Sequence, residues 1–261
     1  MKDYGHKMLE LTGISKSYRR GKLRVPVLND ISLHVREGEF VTLIGPSGSG
    51  KSTLFRLIGG VERPDSGHIA IGGKVVTGER GLISYMPQQA ALFPWLSVAD
   101  NISSALVTAG TAKKEAKEQA LEWLHRIHLG SVAEEYPHVL SGGMQQRVSF
   151  LRALLMRRDV MCLDEPFAAL DALTRADMQK WLLELWESNR RSVLFVTHSI
   201  EEALMLSDRI YVLSPAPATL LREIVVPFER PRRADVWTDP AFVELKREVP
   251  ELLEKGDTSR V

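Results

Sequence analysis

One nine-residue stretch restricts this chain more than any other. Gly45-Pro46-Ser47-Gly48-Ser49-Gly50-Lys51-Ser52-Thr53 fits the pattern G-x-x-x-x-G-K-[ST] and follows the apolar run Glu39-Phe40-Val41-Thr42-Leu43-Ile44. A polyphosphate needs several backbone N–H groups converging on it, so the chain must curl tightly with no side chain in the way. Glycines permit those torsions. A helix after the loop aims its N-terminus, with its partial positive charge, at the anion. The pattern therefore predicts a strand, a phosphate-binding turn and a helix over Ser52–Gly60. Lys51 is placed to reach the β- and γ-phosphates of a bound ATP, and the Ser52 hydroxyl to ligate Mg²⁺. Kinases, GTPases and motors all share such a loop, so it names no activity by itself.

The rest of the chain supplies an alternating β/α pattern around it. Short strands are predicted at Met8–Leu11, Ile31–Val35 and Glu39–Ile44, with strand character again over 66–86 and a turn at Gly72-Gly73. From about Ala90 to Arg158 the periodicity is helical, with Ala116, Ala120, Leu121, Leu124 and Ile127 near helical spacing. Buried strands are expected at Val160–Leu163 and Ser192–Thr197, a helix at Leu173–Asn189, and strands at Arg209–Leu213 and Thr219–Val226. A parallel α/β core interrupted by a helical insert accounts for this order. After Pro227 comes a basic, proline-broken link, Arg230-Pro231-Arg232-Arg233, and then a short amphipathic helix over Pro240–Leu253.

Two further motifs choose among the proteins that carry such a loop. Val160-Met161-Cys162-Leu163-Asp164-Glu165 is an apolar strand ending in two acids, at the carboxyl edge where parallel sheets bind ligands. Asp164 suits Mg²⁺, and Glu165, one residue on, suits polarising a water for in-line attack. Leu140-Ser141-Gly142-Gly143-Met144-Gln145-Gln146-Arg147 puts a serine and two glycines at the start of a helix. Capping explains the serine. It does not explain two glycines in a first turn, where they cost helix stability.

At these residues the chain resembles the ATP-binding cassette (ABC) family, over about residues 8–227. The resemblance implies an α/β fold: a P-loop NTPase (RecA-like) core, an N-terminal antiparallel β subdomain, and an inserted helical subdomain at about 90–158. Residues 228–261 form the C-terminal tail. It implies ATP and Mg²⁺ as cofactors, and a sandwich of two cassettes, identical ones being the simplest case, in which Ser141, Gly142 and Gly143 serve the neighbour's ATP. Tyr18 looks like the aromatic that stacks on adenine, although a tyrosine there is by itself more often a packing residue. Gln88, rather than the adjacent Gln89, looks like the glutamine joining nucleotide site to insert and touching the metal. Ala169-Leu170-Asp171 matches the family's D-loop, and His198, which ends the strand Ser192–Thr197, looks like the switch histidine.

A free-standing cassette of this size is similar to the ATPase subunit of a bacterial importer, held peripherally on the cytoplasmic face of the cell membrane. Its implied partners are a membrane permease and, through it, an extracytoplasmic solute-binding protein. Leu92-Phe93-Pro94-Trp95-Leu96-Ser97-Val98 and the Pro231-Arg232-Arg233 tail resemble the nitrate, sulfonate and taurine group. Tyr85-Met86-Pro87-Gln88 resembles importers of thiamine-precursor pyrimidines. The competing reading is a soluble regulatory or repair ATPase of the same family. A small-molecule kinase leaves Leu140–Gly143 without a role.

Composition narrows the rest. Lys and Arg total 34 against 33 Asp and Glu in 261 residues, a net charge of +1, so no broad nucleic-acid surface is expected. Cys162 is the single cysteine and sits in an apolar run, which predicts a buried core residue. No run of about 18 apolar residues occurs, so a membrane role must come through a partner. Met1–Lys7 lacks the apolar core of a secretion signal.

Overall fold

The computed structural model describes residues 5–168, 170–230, 232 and 234–258. In chain order these are β1 (Lys7–Arg20), β2 (Leu23–Arg36), β3 (Phe40–Ile44), α1 (Lys51–Ile58), β4 (Ser66–Ile71), β5 (Lys74–Val75), β6 (Ile83–Met86), α2 (Val98–Thr108), α3 (Lys113–Arg126) and α4 (Gly142–Leu155). There follow β7 (Val160–Asp164), α5 (Ala172–Asn189), β8 (Ser192–Val196), α6 (Ile200–Leu206), β9 (Arg209–Leu213), β10 (Leu220–Val225) and α7 (Pro240–Thr258). The chain divides into two compact units: Met1–Ile83 with Asn189–Val261, and Ser84–Ser188.

The first unit holds two sheets. One is antiparallel, in the order β2-β1-β4-β5, and begins with a hairpin that pairs Arg20 with Leu23. In the other, β3 lies between β8 and β9 and runs parallel to both, while β10 pairs antiparallel with β9. Every residue of β3, β8 and β9 is buried. That is the burial expected of parallel strands covered on both faces, and it explains why they are mostly apolar rather than alternating. Buried Arg209 on β9 is neutralised by Glu39, 2.8 Å away, at the foot of β3. An isolated charge there would be costly.

In the second unit β7 neighbours β6, and α2 packs against α3 and α4. Cys162 on β7 is fully buried, and burial pushes its thiol pKa up, so it behaves as a core residue and not as a nucleophile. Among the described residues no helix is long and apolar enough to cross a membrane.

Several elements differ from the sequence expectation. β1 and β2 run for 14 residues each, well past Met8–Leu11 and Ile31–Val35. The polar stretch around Ser15–Ser17 hides the strand pattern, and repeated register shifts in the pairing break the alternation. α6 was not anticipated; its Ser199 cap and acidic first turn, Glu201 and Glu202, occupy only seven residues. α7 extends to Thr258 instead of Leu253 and runs through Pro250. The tail is no loose appendage. Phe242 and Val249 of α7 are buried in one cluster with Ala203, Leu204, Ile210, Val212 and Ile224.

Candidate nucleotide-binding site

The phosphate loop sits between β3 and α1, as its sequence requires. Gly50 caps α1 with φ of 88°, and a Cβ there would come within 2.8 Å of Val27 and Leu28. Gly48 also holds a left-handed φ, 78°. Only glycine satisfies both torsion and space at Gly50. Ser49 N–H donates to Pro46 O at 3.2 Å, closing the turn. Lys51 Nζ folds back into the loop, donating to Gly45 O at 2.8 Å and Pro46 O at 2.9 Å. Its ammonium is therefore already stationed at the loop, next to the helix N-terminus where an anion is favoured. Ser52 is exposed and Thr53 is buried in the first turn of α1.

Tyr18 lies on the same unit, and its hydroxyl is fixed twice. It donates to Glu62 Oε2 at 2.5 Å and accepts from Arg56 Nη2 at 3.0 Å. Arg56 is in the last turn of α1, so the phenol is tied to the helix that starts at the phosphate loop. Lys16 Nζ and Arg56 Cζ stand 5.6 and 5.8 Å from the ring centroid. Glu62 and Arg56 were not expected from the sequence; no motif marks them. His198 is exposed just beyond β8. Its neighbours are anchored: Thr197 Oγ1 donates to Glu202 Oε2 at 2.5 Å and accepts from Ser199 N–H at 3.0 Å.

In the second unit β7 delivers two carboxylates of different character. Asp164 is buried, and Tyr85 of β6 donates to its Oδ2 at 3.2 Å. Glu165 follows with φ of 44°, a left-handed torsion in a residue with a Cβ. Such a conformation costs on the order of 1–3 kcal/mol and persists where the surroundings enforce it, commonly at reactive sites. Gln88 Nε2 donates to Glu165 Oε2 at 3.1 Å, and Gln146 Nε2 of α4 donates to Gln88 O at 3.1 Å. Gln88, not Gln89, is thus the glutamine in contact with Glu165. Tyr85 was missed as a partner, although its alternate position in Ile83-Ser84-Tyr85-Met86 sets it on the face opposite Ser84 and Met86.

The signature residues open α4. Ser141 caps it, accepting from Met144 N–H at 3.4 Å, with Gly142 and Gly143 as the next two residues. Asp171 Oδ1 accepts from Thr174 N–H at 3.0 Å, capping α5, and hydrogen bonding from the Thr174 side chain, followed by that backbone bond, holds its carboxyl below the usual range. Ala169 of the same motif lies outside the described residues, as do Pro231 and Arg233 of the tail.

In the first unit Ser52 offers a hydroxyl, and in the second Asp164 and Gln88 offer a carboxylate and an amide oxygen, all hard donors. Among the described residues no group of three His, Cys, Asp or Glu gathers to cage a metal. Few protein oxygens completed by phosphates and water is the donor set Mg²⁺ takes with nucleotides.

The sequence model of the ABC transporter family matches residues 28–168. The chain belongs to the ABC transporter family. The cassette is 46% identical over 210 residues to the formylaminopyrimidine import ATP-binding protein of Halalkalibacterium halodurans, covering 80% of this chain and 82% of that one. It is 38% identical to the nitrate import ATP-binding protein of a Synechocystis species, with 96% of both chains covered. It also matches the taurine import ATP-binding protein of Chromobacterium violaceum at 39% identity, over 93% of this chain and 95% of that one. Among solved structures, a dimeric bacterial ABC transporter cassette superposes with a TM-score of 0.76 at 31% identity, covering 85% of this chain and 100% of the other. The same cassette bound to ADP and Pi gives 0.75 at 32% identity, with the same coverage. The fold is thus the ABC ATPase cassette, and the chain is an ATP-hydrolysing subunit by that membership.

Proposed function

We propose that this cassette drives the import of a small solute through a separate membrane permease. The solute is an organic anion or a nitrogen or sulfur compound such as nitrate, taurine or a sulfonate, or a thiamine-precursor pyrimidine. The observation that carries this reading is end-to-end similarity to import subunits, reaching 96% of both chains for the nitrate protein. In this reading Tyr18 stacks on adenine, and the loop Gly45–Thr53 holds the phosphates with Lys51. Ser52, Asp164 and Gln88 would hold Mg²⁺, which would supply charge neutralisation for the phosphates. Glu165 takes the proton of the attacking water; the left-handed torsion at Glu165 and its contact with Gln88 support that role. His198 contacts the γ-phosphate. Ser141, Gly142 and Gly143 complete the site of a second copy, and Asp171 lies at the interface between the two.

The surface that meets the permease is the loop before α2. Trp95 is 71% exposed there, while the loop beneath it is held by hydrogen bonds. The Nδ2 of buried Asn101 lies within hydrogen-bond distance of Phe93 O, Leu96 O and Ser97 O, its two hydrogens shared among them, and its Oδ1 accepts from Phe93 N–H. A large exposed aromatic on a hydrogen-bonded base is suited to docking. The extracytoplasmic solute-binding protein acts through the permease, and the cassette rests on the cytoplasmic face of the membrane.

Co-expression with its permease and binding protein, followed by reconstitution into vesicles, tests the proposal. Uptake should require ATP, and the solute should stimulate ATPase activity. The cassette should pellet with membranes only when the permease is present. Glu165→Gln should lower turnover by about 10²–10³-fold while ATP binding persists. Turnover at the wild-type rate would remove Glu165 as the base, and sedimentation independent of any permease would remove the transport reading.

A further inference from the structure

We infer that the C-terminal tail is a brace for the switch loop: Arg232, with Arg230, positions His198 by fixing the far end of α6. The inference rests on the reading of His198 given above.

A helix leaves its last carbonyls without intrahelical partners. α6 has only seven residues, so its end groups weigh heavily. Ala203 O receives Ser207 N–H at 3.0 Å. The next three carbonyls are satisfied from the tail. Arg232 Nη1 donates to Leu204 O at 2.9 Å and Met205 O at 3.0 Å, and Arg230 Nη2 donates to Leu206 O. Both guanidiniums also place positive charge at the negative end of the helix dipole. Arg230 Nε reaches Asp208 Oδ1 at 2.9 Å, and the other oxygen of that carboxylate accepts from Phe40 N–H at 3.0 Å. Phe40 begins the strand that ends at the phosphate loop. Arg232 is 7% exposed.

The near end of α6 abuts the switch. Ser199 Oγ accepts from Glu202 N–H at 3.2 Å, and Glu202 holds Thr197, so the residues on both sides of His198 are bonded to the first turn. Along its length α6 buries Ala203 and Leu204 in the cluster that contains Phe242 and Val249 of α7. Lys246 of α7 pairs with Glu201 at 2.8 Å. His198 therefore inherits its place from β8 on one side and from a helix on the other. The end carbonyls and one flank of that helix belong to the tail.

Arg232 touches no reacting atom in this account; it is a positioning residue, and epistasis separates it from a merely structural one. ATP turnover at saturation and the KM for ATP would be measured for Arg232→Gln, His198→Ala and the double variant, at a temperature where all remain folded. Arg232→Gln should lower kcat about 5–20-fold with KM changed less than about twofold, and should add nothing in the His198→Ala background. Losses that multiply in the double variant, or an unchanged kcat in Arg232→Gln, would overturn the inference. An unimpaired His198→Ala would instead sink the reading of His198 itself. If Arg232→Gln does not fold, Lys246→Ala serves. It should raise amide exchange over residues 197–206 and lower kcat about twofold, whereas Arg247→Ala, on the exposed face of α7, should do neither. Equal exchange in the two lysine and arginine variants would count against the brace.

Discussion

A Cβ built on Gly142 meets no atom within 4 Å, whereas one on Gly143 comes within 2.8 Å of Thr174 Cγ2. The two signature glycines therefore answer to different demands. Gly143 is required by the packing of α4 against the start of α5. Among the described residues nothing stands in the way of a side chain at Gly142, which fits the role proposed for it, facing the nucleotide held by a second copy. Gly142→Ala should leave the melting temperature within about 1 °C of wild type, or raise it, since alanine favours the helix. The same substitution should reduce ATPase activity severely. Gly143→Ala should lower both stability and activity. Calorimetry beside a phosphate-release assay distinguishes the two, and a destabilised Gly142→Ala would contradict the division.

At the scale of elements, the loop from Phe93 to Ser97 is fastened by side-chain hydrogen bonds. One buried amide, Asn101, holds three of its carbonyls, and Arg152 adds a bond to Ala91 O at 2.5 Å while standing 5.1 Å from the Phe93 ring. Asn101→Ala removes the side-chain donor, though Phe93 O keeps Leu96 N–H and Ser97 O keeps the backbone N–H of residue 101, and should cost about 1–3 kcal/mol, read as a lower urea midpoint with an unchanged slope. Permease binding should weaken with it, because Trp95 loses its footing. Much of this architecture was legible beforehand. The phosphate loop, β7 with its acids, the signature helix and β9 all declare themselves through turn chemistry or unbroken apolar runs. What the sequence concealed were side-chain partners at long range, such as Glu62 on Tyr18 or Arg232 on α6. They have ordinary residue types at no fixed spacing, and only the folded chain brings them together. The long hairpin β1–β2 was concealed for another reason. Its pairing shifts register several times, so period-two patterning fails even though the strands continue.

At the scale of the whole molecule, distant parts of the sequence meet in small polar sets. Tyr211 of β9 donates to His34 O of β2 at 3.2 Å, across 177 residues of sequence. Burial pushes the Tyr211 hydroxyl up to about 12, above its ordinary value near 10. The folded state thus keeps a proton that the unfolded chain loses first. The stability this group contributes is complete below about pH 10 and disappears as pH rises through about 12. Tyr211→Phe should flatten the decline of the urea midpoint between those limits. A slope identical to wild type would show that other groups govern alkaline unfolding.

The parallel pairing of β3 has a consequence for how the chain is made. Its neighbours, β8 and β9, begin at Ser192 and Arg209, and Gly38 and Ser192 are 154 residues apart. At about 5–20 residues per second, the ribosome reaches β8 roughly eight to thirty seconds after β3. Through that interval a largely apolar strand waits without its sheet, and the loop it carries has no fixed shape to offer a phosphate. Within residues 84–188 the wait is shorter, β6 ending at Met86 and its neighbour β7 beginning at Val160. A nascent chain should therefore acquire ATP affinity late, once β8 and β9 have left the exit tunnel, and until then Phe40–Ile44 is the segment that a chaperone would have most cause to cover.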